Sequence, residues 1–251
     1  MPALRRTSPW LALSLACSVS FLAQSSIAAD LLTLTWDQCG AAGTPTKTFD
    51  CDDNTPTHQL YLAFSLGQAL DDVVGIEAVV DIQHSAEVMP DWWRLGVGGC
   101  RQGELDANGA APVGECADFW LGEATDHGIQ GYTVGQPRGA PNQARIKVAL
   151  ALLPGSARSL NANDVYFAAR ILLGTDRTTS TGACEGCSGA ACLVLNSIIL
   201  RRLPGAPGGD RFIQTASSAG NLAVWQPGGG ALCGTVPVRR NTWGQIKAIY
   251  R

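Results

Sequence analysis

The chain predicts an all-β fold, a single jelly-roll-like β-sandwich stapled by disulfides and closed by a short C-terminal helix. Three observations predict it. Runs in which apolar and polar side chains alternate recur along the chain, separated by Gly, Pro, Asn and Asp, as half-buried strands require. Glycine is abundant at 29 of 251 residues, Glu and Lys are sparse, and no strand pattern alternates with an amphipathic helix. Eight cysteines follow the N-terminal segment, an even number in a chain that begins with an export signal.

Residues 1–28 read as a signal peptide. Arg5 and Arg6 supply the positive start, residues 10–23 the apolar stretch, and Ser26-Ile27-Ala28 the small residues before cleavage. Residues 29–251 are then one β-sandwich domain, secreted or periplasmic. The apolar stretch is too short, and too soon followed by Gln24-Ser25-Ser26, for a membrane span, and no second one of spanning length follows. Cys17 raises lipidation, which Ser14 disfavours where an aliphatic residue belongs. Losing Arg5 and Arg6 takes the net charge from −3 to −5, with no basic run, so nucleic acid is not an expected partner.

The first strand is 31–36 (LLTLTW), with Leu32, Leu34 and Trp36 on one face. A turn-rich loop follows between Cys39 and Cys51, whose bridge would contribute about 3 kcal/mol. Strands are expected at 59–66, with Leu60, Leu62, Phe64 and Leu66 inward, and at 73–84, with Val74, Ile76, Ala78, Val80 and Ile82 inward. Residues 91–120 form a glycine-rich excursion flanked by Trp92, Trp93 and Trp120, with Cys100 and Cys116 expected to pair at its base. Further strands fall at 128–135, 145–153, 165–173, 192–200, 211–215 and 222–225, the 192–200 run apolar enough to be covered on both faces. Thr242 to Gln245 spells a capping box, and Trp243, Ile246, Ile249 and Tyr250 follow at helical spacing.

The aromatics carry the main functional expectation. Adjacent tryptophans in a strand point to opposite faces. One of Trp92 and Trp93, with Trp120 and Tyr132, could then form a platform for a sugar ring; the alternative is that they tuck beneath the loop as a satellite core. Cys184, Cys187, Cys192 and Cys233 leave three connectivities open, with Cys233 favoured to tie back to the 184–192 cluster. Zinc at Cys184-x-x-Cys187 is the competing possibility. Asp50, Asp52 and Asn54 resemble half a calcium loop, but Thr55 stands where glycine belongs and Tyr61 where the closing glutamate would, so plain turn chemistry is favoured. No G-x-S-x-G motif occurs, and His58, His84 and His127 are scattered. Glu77 and Asp81 on one strand face stand about 13 Å apart, too far for an acid–base pair, while Asp118 and Glu123 flank Trp120. No catalytic site and no cofactor are expected.

The segments LTWDQCG, PDWWRLG with GGCR, PNQARIKVALAL, GACEGC and NTWGQIKAIYR resemble a group of uncharacterised exported bacterial proteins of this length. That resemblance implies export and one domain, and no activity. The expected function is a non-catalytic binding module with glycan as the leading ligand class. The alternatives are a cell-envelope structural or assembly protein that binds another protein, and a hydrolase without a local motif, which would need a cleft with two carboxylates, one raised in pKa.

Overall fold

Alternating side chains become strands almost wherever the pattern runs. A computed structural model of the chain describes residues 29–110, 112–125, 127–214 and 220–228. Its strands are β1 (Leu31–Trp36), β2 (Thr46–Lys47), β3 (His58–Ser65), β4 (Leu70–His84), β5 (Leu105–Asn108), β6 (Ile129–Val134), β7 (Gln143–Ala151), β8 (Arg158–Leu160), β9 (Val165–Leu173), β10 (Ala191–Arg202), β11 (Arg211–Gln214) and β12 (Leu222–Trp225). The helical turns among the described residues are two three-residue 3-10 turns, Gly40–Ala42 and Asp91–Trp93. The short strands β2, β5 and β8 carry no alternation to betray them. The signal peptide, the C-terminal helix and Cys233 lie outside the described residues.

The strands form a four-stranded sheet, β1-β3-β9-β5, and a larger one, β2-β12-β10-β4-β7-β6, with β11 beside β10 and β8 beside β4. One antiparallel ribbon organises both. β3 pairs with β9 from His58↔Leu173 to Ser65↔Val165. The ladder continues into the other sheet through Leu70↔Leu160 and Val73↔Arg158, then runs from Gly75↔Ala151 to Gln83↔Gln143. β5 and β6 follow its outer side, on β9 and β7, while β1 and β10 follow its inner side, on β3 and β4. A ribbon rolled across two sheets is the jelly-roll pattern.

The core fills the space between the sheets. Leu32, Leu34, Leu60, Leu62 and Phe64 are fully buried, as are Ile76, Ala78, Val80, Ile146 and Val148. Each large aliphatic side chain so buried contributes about 1.5–3 kcal/mol. In β10, Ala191, Leu193 and Leu195 join this core, while Cys192 and Val194, on the opposite face, are buried too. Val74 departs from the expected pattern. The register passes from Gly75↔Arg201 to Val73↔Arg202, so Val74 is bulged and Val73 takes the inward position. A second bulge in β10 sets Asn196 apart, and its amide donates to Asp81 at 2.6 Å. A third isolates Ala168 in β9, and the buried Trp120 indole N–H caps its carbonyl at 3.0 Å.

The disulfides correct both expected pairings. Cys39 bonds Cys116, Cys51 bonds Cys187, and Cys100 bonds Cys184. The loops fold towards one another rather than closing on themselves. Cys39 N–H donates to the Val113 carbonyl and the Cys39 carbonyl accepts from Glu115 N–H, which brings Cys116 alongside. The Gln226 amide brackets Phe49 by bonds to its N–H and carbonyl, and Trp225 donates to the Cys187 carbonyl at 2.7 Å, so Cys51 and Cys187 meet at the end of β12. Arg177 donates to the Cys100 carbonyl beside Cys184. Cys184 and Cys187 thus reach to different loops, and neither is free as a zinc thiolate. Cys192 is disulfide-bonded as well.

Non-reducing proteolysis with mass spectrometry is expected to return these three links, with the Cys192 peptide in a further one. A peptide joining Cys39 to Cys51 would contradict the fold.

Candidate functional site

Three loops converge at one end of the sandwich, around Trp225. This indole stacks on Phe49 with centroids 3.9 Å apart and meets Trp36, His58, Trp92 and Trp93 at 4.7–5.9 Å. The Cys51–Cys187 and Cys100–Cys184 bridges tie the loops that surround it. Asn54 adds a polar bracket, accepting from the N–H groups of Thr178 and Thr179 and donating to the Thr179 carbonyl.

The tryptophans therefore do not make a sugar platform. Asp91–Trp93 is a 3-10 turn, not a strand, so neighbouring indoles are not sent to opposite faces. Trp92, Trp93 and Trp120 are all fully buried. Trp92 donates to the Thr178 hydroxyl at 2.9 Å. Tyr132 is half-buried, its hydroxyl donates to the Trp93 carbonyl, and burial pushes its phenol pKa up.

At the centre of this end lies Arg101, 1% exposed. Its guanidinium donates to the carbonyls of Asp176 and Trp92 at 3.0 Å and to that of Gly174, and lies 3.7 Å over the Trp92 ring. Burial lowers its pKa to about 10, against the pull of Glu104 and Asp176, so the charge persists at neutral pH. Nothing local in GGCRQG distinguishes Arg101 from a solvated loop charge.

Arg101 fixes the base of the 94–103 loop, and the loop's own bonds fix its shape. Arg101 N–H donates to the Arg94 carbonyl, Gly99 N–H to the Gly96 carbonyl, and Gly98 N–H to the Gln102 side chain. Glycine is required at 99, where a Cβ would lie 2.1 Å from the Arg94 carbonyl oxygen. It is also favoured at 96, where a Cβ would press 3.1 Å from the Tyr132 ring.

Between this loop and β6 runs an open groove of about 830 Å³. Leu95, Leu105, Ile129 and Tyr132 give it an apolar lining, Gln102, Gln130 and Thr133 polar points, and Arg94 a charge. No carboxylate lines it, and Val97 stands on its rim, 96% exposed. A second cavity of about 470 Å³ is lined by Asp37, Asp50, Asp52, Asp53, Lys47 and His58. Asp37 is paired with Lys47, Asp53 caps Thr55, and Asn54 is committed to the 178–179 backbone. Of the half calcium loop, Asn54 is thus spent on backbone, and among the described residues no group of three or more His, Cys, Asp and Glu is placed to hold a metal.

The carboxylates weighed for catalysis are engaged elsewhere. Glu77 pairs with Arg201, and Asp81 is held by both arms of Arg145 at 2.6 and 2.8 Å. Asp118 accepts from Trp120 N–H, and Glu123 pairs with Arg158. Bonds from Ser156 and Arg158 hold the Glu123 pKa below the usual carboxylate range, the opposite of what a general acid needs. The histidines are apart: His127 is exposed beside Asp106, His84 is buried against Gly189, and His58 packs on Phe49 and Trp225.

No family model matches the chain, and no curated protein does. Among solved structures, it is similar to a cohesin module from a Clostridium perfringens ATCC13124 family 33 glycoside hydrolase. The match has 9% identity, covers 78% of this chain and 94% of that one, and has a TM-score of 0.35.

Arg101→Met is expected to cost about 3 kcal/mol or more in urea unfolding, because three carbonyls lose their donor together. Arg101→Lys should recover little of this, since one ammonium cannot reach what a planar fork does. Burial lowers the His58 pKa from 6.5 to about 4, so the unfolded chain binds its proton first as pH falls. Stability from His58 is complete above pH 6.5 and is lost as pH drops towards about 4. Thermal melts should show that loss flattened in His58→Phe.

Proposed function

We propose that the protein is a non-catalytic binding module acting outside the cytoplasm, and that it takes another protein in the groove between the 94–103 loop and β6. The groove itself carries this reading. It is open, its loop wall is held by a buried arginine, a disulfide and glycine turns, and its lining mixes apolar side chains with a few polar points, as recognition surfaces do. Disulfides suit an oxidising compartment. No helix among the described residues is long and apolar enough to cross a membrane.

The glycan class loses its motive once the indoles are buried, because sugar rings stack on open aromatic faces and Tyr132 offers half of one. A protein partner uses what the groove has: exposed valine, backbone and amide side chains.

A photo-crosslinking phenylalanine analogue at Val97 tests this, with the same analogue at Phe212 as control on the far side of the larger sheet. Irradiated in the producing cells, the Val97 variant should give a discrete, protease-sensitive adduct that the Phe212 variant lacks. A periodate-sensitive polysaccharide adduct, or equal adducts from both positions, would refute the assignment.

A further inference from the structure

The smaller cavity, of about 470 Å³, shares no lining residue with the groove. Its wall joins exposed aspartates to two buried rings, those of Phe49 and His58. Four aspartates against the one lysine leave it three negative charges. Two of those carboxylates are already committed. Asp37 holds Lys47 at 2.5 Å, and both oxygens of Asp53 serve Thr55, one its N–H and one its hydroxyl. Asp50 and Asp52 are exposed and have no partner among the described residues.

The loop that carries this free pair is fixed on both sides. Cys51 between them is bonded to Cys187, the Gln226 amide brackets Phe49, and Asn54 brackets the 178–179 backbone. On the same wall stands His58, 9% exposed, whose Nε2 is buried and has no hydrogen-bond partner. A buried polar atom left unbonded is costly, and a ligand donor would relieve it. Burial, then the Lys47 charge, lower the His58 pKa to about 4 against the pull of Asp37 and Asp50. The ring is therefore neutral at pH 7, and with its proton on Nδ1 it offers a lone pair rather than a repelling charge. Phe49 already takes one cation, the Lys47 ammonium 5.0 Å over its ring.

We propose that this cavity is a second binding site, for an organic cation with N–H donors, a guanidinium or a primary ammonium group. Asp50 and Asp52 take its charge, and the His58 imidazole accepts one of its N–H bonds. A planar guanidinium suits the pair best, because its forked donors reach two acceptors at once. An inorganic dication such as calcium wants six or more oxygens, and two free carboxylates among committed neighbours do not supply them.

The test is titration of the intact, oxidised chain with methylguanidinium chloride, followed by NMR of the backbone amides and of the imidazole rings. Saturable shifts are expected at the Asp50 and Asp52 amides and at the His58 ring nitrogens, with a dissociation constant on the order of millimolar. Asp50→Asn and Asp52→Asn should each weaken binding about five-fold, and added salt should weaken it further. Asp71→Asn, at an exposed aspartate on β4, should change nothing. The His58 signal is read on the unmutated chain, so the result does not depend on replacing a buried ring. A blocked Gly-Gly-Arg-Gly-Gly peptide that binds tighter than methylguanidinium marks the source as a partner's side chain, and equal affinity marks a free small cation. Shifts that never saturate, or that reach Asp71 equally, overturn the site. Saturation at Asp50 and Asp52 with the His58 ring silent overturns it too, since the cavity is then acidic surface alone. Calcium that gives the same shifts and displaces methylguanidinium overturns the organic class.

Discussion

A buried charge with no buried counter-charge sets the terms for one whole end of this protein. Taking the Arg101 guanidinium out of water costs several kcal/mol. Three charge-assisted bonds to carbonyls, at about 1.5–3 kcal/mol each, and the Trp92 face offset it. Those carbonyls belong to Trp92, Gly174 and Asp176, so the arginine is satisfied when the 91–93 turn and the 174–176 segment are both in place. A hydrophobic side chain could fill the volume, but it would not demand that arrangement. The rigidity of the groove wall follows from this demand, since Arg101 N–H also closes the loop back on Arg94.

The rolled ribbon supplies the other wall. Because the β3–β4 and β7–β9 ladder turns over from one sheet to the other, its outer companions β5 and β6 end up as edges of different sheets, beside the same loop. The loop leaves the 3-10 turn at Trp93 and returns as β5, so its course is bounded by both sheets. Tyr132 joins the two walls through its bond to the Trp93 carbonyl. The groove is therefore a product of topology as much as of its lining.

The long strands are legible in the sequence because one solvated face and one buried face impose period two. β1, β9 and β12 fall where the alternation places them, and β3, β4, β6, β7, β10 and β11 within a few residues. Val74 escapes because a bulge shifts inward and outward by one, and alternation alone has no mark for it. The disulfides escape for another reason. Proximity in sequence suggests Cys39 with Cys51, but the partners are chosen by which loops meet at the sandwich end. The site was half legible: the loop around Cys100 does line it, and Tyr132 does too, while the tryptophans serve as its foundation. Arg101 had no signal, since its partners are main-chain carbonyls, which every residue possesses.

The order of the bridges has a consequence for biogenesis. Cys39–Cys116 crosses the Cys51–Cys187 and Cys100–Cys184 links, and with separations of 77, 136 and 84 residues none of these six cysteines bonds its neighbour along the chain. A polypeptide entering an oxidising space from its N-terminus presents Cys39 and Cys51 together long before Cys116 or Cys187 arrives. An oxidase acting on thiols as they emerge makes the mismatched bond first. From there the native set requires thiolate attack on an existing bridge, so a chain oxidised in that order reaches it through disulfide exchange.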